Sequence, residues 1–172
     1  MAPKSAEIYI TKYKSMSALK KLLEISLVQS GGIMAGLLAA MFFYAAVSKL
    51  SDFETSKQEM INQVFSRSVA LQLVWLVPLV ELIICGLLLF NRTQLAGLYA
   101  SFSLMSIFSV YISITMSGVF GEIPCSCGGI LKDMGYGTHL VFNLFFLSVA
   151  LLGISVKAVS YTHLTLPTKR IV

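Results

Sequence analysis

Four apolar runs dominate the chain and leave few folds open to it. They are 28–50 (VQSGGIMAGLLAAMFFYAAVSKL), 69–90 (VALQLVWLVPLVELIICGLLLF), 95–116 (LAGLYASFSLMSIFSVYISITM) and 139–156, with LVFNLFFLSVALLGISV from residue 140. A spanning helix needs about 20 apolar residues, with a range of about 17–25. The first three meet this comfortably, and the fourth does so if it opens near Gly137. Only structures that satisfy their own backbone groups cross hydrocarbon. No run alternates with the period of two expected of a barrel strand. The expectation is an all-α, four-span helical bundle, a multi-pass membrane protein solvated by lipid over residues 26–158.

Composition agrees. The chain is 56% apolar and only 12% charged, against about 45–50% and about 25% in soluble domains. That charge density does not make an ordinary wetted surface. The net charge of +5 raises the question of nucleic acid. The lysines, however, flank apolar runs and form no basic patch, so no nucleic-acid partner is expected. Lys4, Lys12, Lys14, Lys20, Lys21, Arg92 and Lys157 fall on one side of the spans, and Lys49, Lys57, Arg67 and Lys132 on the other. The positive-inside rule then places both termini in the cytoplasm and the connections 51–68 and 117–139 outside. In a bacterium this is the cytoplasmic (inner) membrane, with those connections in the periplasm.

Residues 1–25, which include KSMSALKKLLEISL, are basic and amphipathic. A surface helix, a solvated tail and a misplaced start before Met16 all fit. In the connection 51–68, Phe53, Met60, Ile61, Val64 and Phe65 share one helical face, as in a short helix on the outer leaflet. Residues 159–172 open with VSYTHLTLPT, which reads as a translated sequencing adapter. They carry no part of the functional reading.

Chemistry concentrates in EIPCSCGGILKDMGYGTHL, residues 122–140. Three cysteines are too few for a disulfide scaffold, so Cys125 and Cys127 read as chemical rather than structural. A disulfide across one intervening residue closes a small, strained ring, and strain makes the bond labile and suited to exchange. Gly128 and Gly129 free the backbone and leave room for a partner, while Lys132 and His139 favour a thiolate. Two other readings stay open. One is an unreactive loop pair. The other is a metal site from Cys125, Cys127 and His139, which lacks an evident fourth ligand. Cys85, deep in the second run, reads as packing.

Glu81 lies within the second run, where an isolated carboxylate is expensive and turns to the bundle interior. Proton handling or a bond to a quinone headgroup is one reading. A hydrogen bond to serine or threonine of the third run is the other. Pro78, one turn earlier, frees the carbonyl of Val74. Lys49, ending the first run, either snorkels to the headgroups or favours a thiolate in the cysteine loop.

Four stretches together resemble the MauE/DoxX family of redox-associated membrane proteins: SKLSDFE, VPLVELIICGLLL, PCSCGG and HLVFN. The cysteine loop followed by H-x-x-F-N points to the MauE side. The resemblance implies a four-helix membrane bundle that works in methylamine utilisation with a periplasmic thioredoxin-like partner. That partner helps make or maintain the disulfides of methylamine dehydrogenase, and DoxX relatives imply a quinone link. Cys125 and Cys127 would then be the redox pair, with Glu81, His139 and Asn143 in support. No covalently bound cofactor or resident metal is expected, and quinone is the candidate acceptor. A non-catalytic anchor or accessory subunit of a redox complex is the alternative from a different class. Oligomeric state is not legible in the sequence.

Overall fold

The computed structural model describes residues 4–119 and 135–165. Five helices make up the described fold: α1 (Lys4–Ser51), α2 (Phe53–Ile61), α3 (Arg67–Leu89), α4 (Gln94–Met116) and α5 (Tyr136–Thr165). Four carry apolar stretches long enough to cross a membrane: Gln29–Ser51, Arg67–Leu89, Gln94–Met116 and Tyr136–Ala158. At about 1.5 Å per residue, each of these 23-residue spans is about 34 Å long, which matches a hydrocarbon core of about 30 Å. The fourth is longer than its apolar core suggests. Residues 136–138 supply its first turn, closed by the His139 N–H donating to the Gly135 carbonyl at 3.1 Å.

α1 is one unbroken helix of 48 residues that extends well beyond its span. Residues 4–25 thus continue the first spanning helix, and good helix formers such as Lys, Leu, Glu and Ala carry it. α3 likewise stays helical through the buried Pro78. The short helix expected between the first two spans is α2, which packs on α3. Phe53 and Trp75 join them, with ring centroids 4.6 Å apart.

Packing runs around a ring, α1 to α3 to α4 to α5 and back to α1. Three of the four contacts join consecutive spans and the fourth closes the last on the first, so the topology is up-down-up-down. The core follows from stripes at helical spacing. Ala35, Leu38, Ala39, Phe42 and Ala46 face inward from α1, and Ala70, Val74, Pro78, Ile84, Cys85 and Leu88 from α3. The opposite faces, with Trp75, Leu79, Ile83 and Ile107 among them, are exposed as lipid-facing side chains should be.

The α3–α4 turn is held by side chains as well as backbone. The Thr93 hydroxyl donates to the Leu87 carbonyl at 2.9 Å, and the Gln94 amide to the Leu88 carbonyl at 3.2 Å. These capture carbonyls that the end of α3 leaves open. Thr93→Val keeps the shape and removes one such bond. It is expected to cost about 1 kcal/mol, read as a lower midpoint in thermal unfolding in detergent. An unchanged midpoint would show that solvent satisfies the Leu87 carbonyl equally well.

Candidate functional site

Both inward stripes contain a charge. On α1 the series Leu38, Phe42, Ala46 continues three residues on to Lys49, and on α3 the series Val74, Pro78 continues three residues on to Glu81, both within the three-or-four spacing of one helical face. Since these stripes face each other, the charges meet. The Lys49 ammonium donates to both carboxylate oxygens of Glu81, at 2.7 and 3.0 Å. The Glu81 side chain is 3% exposed and that of Lys49 19%. Helical side chains lean toward the helix N-terminus. Lys49 accordingly runs back into the bundle, where its Nζ also lies 3.4 Å from the Ala45 carbonyl. Snorkelling outward, one of the two behaviours expected of Lys49, does not occur because Glu81 is a better partner than the interface.

Serine and threonine of α4 are not the partners of Glu81 either. The hydroxyls of Ser101, Ser106, Ser109 and Thr115 donate to the carbonyls of Gly97, Phe102, Met105 and Tyr111, each four residues back. Such back-bonding satisfies a helical hydroxyl without a second helix.

Beside the ion pair lies a cavity of about 370 Å³. Leu73 and Val77 of α3 face Phe108 and Ile112 of α4 across it, and Tyr136 and His139 close it from α5. Lys49 reaches it from α1. The linker after α2 forms a roof. Gln63 accepts a hydrogen bond from the Tyr111 hydroxyl, and Phe65 stacks on the Tyr111 ring at 5.6 Å between centroids. His139 and Asn143, four residues apart, continue the inward stripe of α5, and both are buried. Among the described residues the Asn143 Nδ2 has no hydrogen-bond partner. At the same end of the bundle the chain leaves α4 and re-enters α5: a Cβ on Gly137 would lie 4.0 Å from the Met116 side chain.

The family model for Methylamine utilisation protein MauE matches residues 22–156. That stretch covers most of the chain and all but two residues of the four spans. The chain belongs to the MauE family. No curated protein and no solved structure gives a match.

The MauE match includes every candidate residue named from the sequence. The structure brings Lys49 to Glu81 and puts Lys49 and His139 on one cavity. Cys125, Cys127, Gly128, Gly129 and Lys132 lie outside the described residues. Cys85 is a free, buried thiol in the apolar core beside Ile84 and Leu88, as a packing residue should be. Sequence reasoning missed Tyr111 and Gln63. Tyr111 is one aromatic among many in α4, and only its pairing with a residue 48 positions away distinguishes it. The Lys49–Glu81 pair did leave a signal: two opposite charges, each in phase with an apolar stripe of an adjacent span.

Proposed function

We propose that this MauE-family chain is the membrane component of a thiol–disulfide redox system that serves methylamine utilisation. Cys125 and Cys127 exchange a disulfide with a periplasmic thioredoxin-like protein. In the exchange, a thiolate of one partner attacks a disulfide sulfur of the other. A mixed disulfide forms, and its resolution leaves the first partner oxidised and the second reduced. Coupling to the bilayer goes through quinone, as the DoxX side of the resemblance suggests: a dithiol gives up two electrons and two protons, and quinone takes both to become quinol. The chain sits in the bacterial inner membrane with its termini in the cytoplasm. The segment 117–135 then faces the periplasm, an oxidising compartment.

One observation carries this reading. The segment that bears the cysteine pair starts and ends beside a cavity whose wall holds Lys49, His139 and Tyr136. Behind that wall the Lys49–Glu81 pair supplies protonatable groups at membrane depth, where such groups mark proton or substrate paths. Asn143 stands one turn below His139 on the same buried face.

Acid-quenched thiol trapping in intact cells tests the redox reading. A Cys85→Ala background removes the one core thiol, so that only the loop pair reports. The expected result is a pair oxidised at rest, opened by a brief reductant pulse and re-oxidised after it. Thiols that stay free under all conditions would mean a membrane anchor or accessory subunit instead.

A further inference from the structure

α3 and α4 are pinned at the 90–93 turn, where the α4 backbone at Gly97 approaches Leu87 and Leu88. Toward α2 the two helices line opposite walls of the 370 Å³ cavity. Two residues that line it also face out of the bundle: Val69 is 42% exposed and Ile107 63%. Both belong to membrane-spanning stretches. The cavity therefore opens sideways, toward hydrocarbon, and a ligand dissolved in the bilayer reaches it without crossing water.

The wall restricts what that ligand is. Its apolar side chains and the rings of Phe108 and Tyr111 suit a flat hydrophobic ring. Its volume is at the low end of the roughly 300–1,000 Å³ of ligand sites, enough for a ring while an apolar tail stays in the bilayer. Lys49 brings the cation, yet Glu81 neutralises it from behind, so the site has no net charge to offer a carboxylate or phosphate. What Lys49 does offer is its third N–H. Two N–H groups hold Glu81 at 2.7 and 3.0 Å, whereas the Ala45 carbonyl is 3.4 Å away. Charge-assisted bonds are normally about 2.7–2.9 Å, so a ligand carbonyl displaces Ala45 readily.

We propose that this cavity binds the ring of a lipid-soluble quinone, which enters between α3 and α4 and accepts a hydrogen bond from Lys49. The proposal rests on the redox reading above and deepens it. Glu81 does not line the cavity and acts through Lys49; it is a positioning residue. It aims the ammonium and keeps the site neutral.

The test uses the full chain in lipid nanodiscs and a photoreactive azido derivative of an alkyl benzoquinone, with labelled positions mapped by mass spectrometry. Label is expected on the cavity walls of α3 and α4. Val77→Trp fills the cavity and lowers labelling by about ten-fold, equivalent to about 1.4 kcal/mol. Leu76→Trp, on the lipid-facing side of the same helix, leaves it unchanged. Thermal unfolding confirms that both variants are folded. Label scattered over lipid-facing positions, or insensitive to Val77→Trp, overturns the site.

A second arm separates Lys49 from Glu81. Glu81→Gln keeps an acceptor for Lys49 and is expected to hold labelling within about three-fold, while Lys49→Met/Glu81→Gln loses about ten-fold. Equal losses in the two would assign the contact to Glu81. A fatty-acid carboxylate competes with the probe in Glu81→Gln, where Lys49 is no longer neutralised, and not in the natural chain. Competition in both would sink the positioning role. Labelling and thiol trapping fail independently: a cycling cysteine pair with an unlabelled cavity overturns the site alone, and a labelled cavity with inert cysteines overturns the redox reading alone.

Discussion

Lys49→Met is expected to destabilise the bundle by about 3–5 kcal/mol, the usual penalty for stranding one partner of a buried ion pair. The stranded group is Glu81, 3% exposed and just over one helical turn deeper than the cavity residue Val77. Among the described residues Lys49 supplies both hydrogen bonds to the Glu81 side chain, and the α4 hydroxyls already donate to their own helix. The reverse change costs less. Lys49 is two residues from the end of its span, and once Glu81 is gone its long stem lets the ammonium swing toward the headgroups. Glu81→Leu should therefore cost about 1–2 kcal/mol, below the range for a fully stranded charge. The double change Lys49→Met/Glu81→Leu removes both desolvation costs and should return to within about 1 kcal/mol of the natural chain. Unfolding of the four proteins in detergent gives the coupling energy directly. Additive losses would mean that the two charges do not interact. A near-natural double variant with lost redox activity would show that the pair serves function more than stability.

Gly97→Leu is expected to open the α3–α4 hairpin and cost about 3 kcal/mol, the upper end for overpacking a tight contact. A Cβ at this position would lie 3.0 Å from the Leu88 nitrogen and 3.1 Å from the Leu87 carbonyl carbon. Those are backbone atoms at the end of α3, so neither can rotate away. Close backbone approach through a small residue is how spanning helices gain packing energy when lipid is as apolar as the core. The same turn sets the angle at which α3 and α4 diverge, so cavity labelling should fall together with stability. Gly86, on the neighbouring helix, has open space around its Cα. Gly86→Ala should be neutral, or stabilising by up to about 1 kcal/mol through helix propensity. Thermal unfolding compares the two. Equal effects would indicate that helix propensity, not close approach, governs both positions.

These expectations differ in how far the sequence alone supports them. The four spans were legible because crossing hydrocarbon is a local requirement, met by a long enough run of apolar residues whatever surrounds it. Their bounds moved by at most three residues on description: 28–50 became 29–51, 69–90 became 67–89, 95–116 became 94–116 and 139–156 became 136–158. The helix between the first two spans was legible for a similar reason in Phe53, Met60 and Ile61, whereas Val64 and Phe65, expected on the same face, lie past its end at Ile61. The family was legible from a resemblance carried by short strings, PCSCGG and HLVFN among them, which lie within the matched residues 22–156.

The sequence also marked Glu81 and Lys49 as anomalies, but it did not join them. Thirty-two residues separate the pair, and several serines were nearer in composition to what a buried carboxyl seeks. Only the packing of α1 on α3 decided the partner, because side-chain direction on each helix turned Lys49 inward to where the α3 stripe presents its one carboxyl. The cavity was likewise invisible in the string. It exists because α3 and α4 are tied at one end and part toward the other, and because Gln63 and Tyr111 meet across 48 positions. Hydrophobicity and helix periodicity are properties of neighbouring residues, so the sequence by itself determined a four-span MauE-family bundle. Which charges neutralise each other, and where a space is left between helices, depend on the relative placement of whole helices, and the tertiary structure alone decided them.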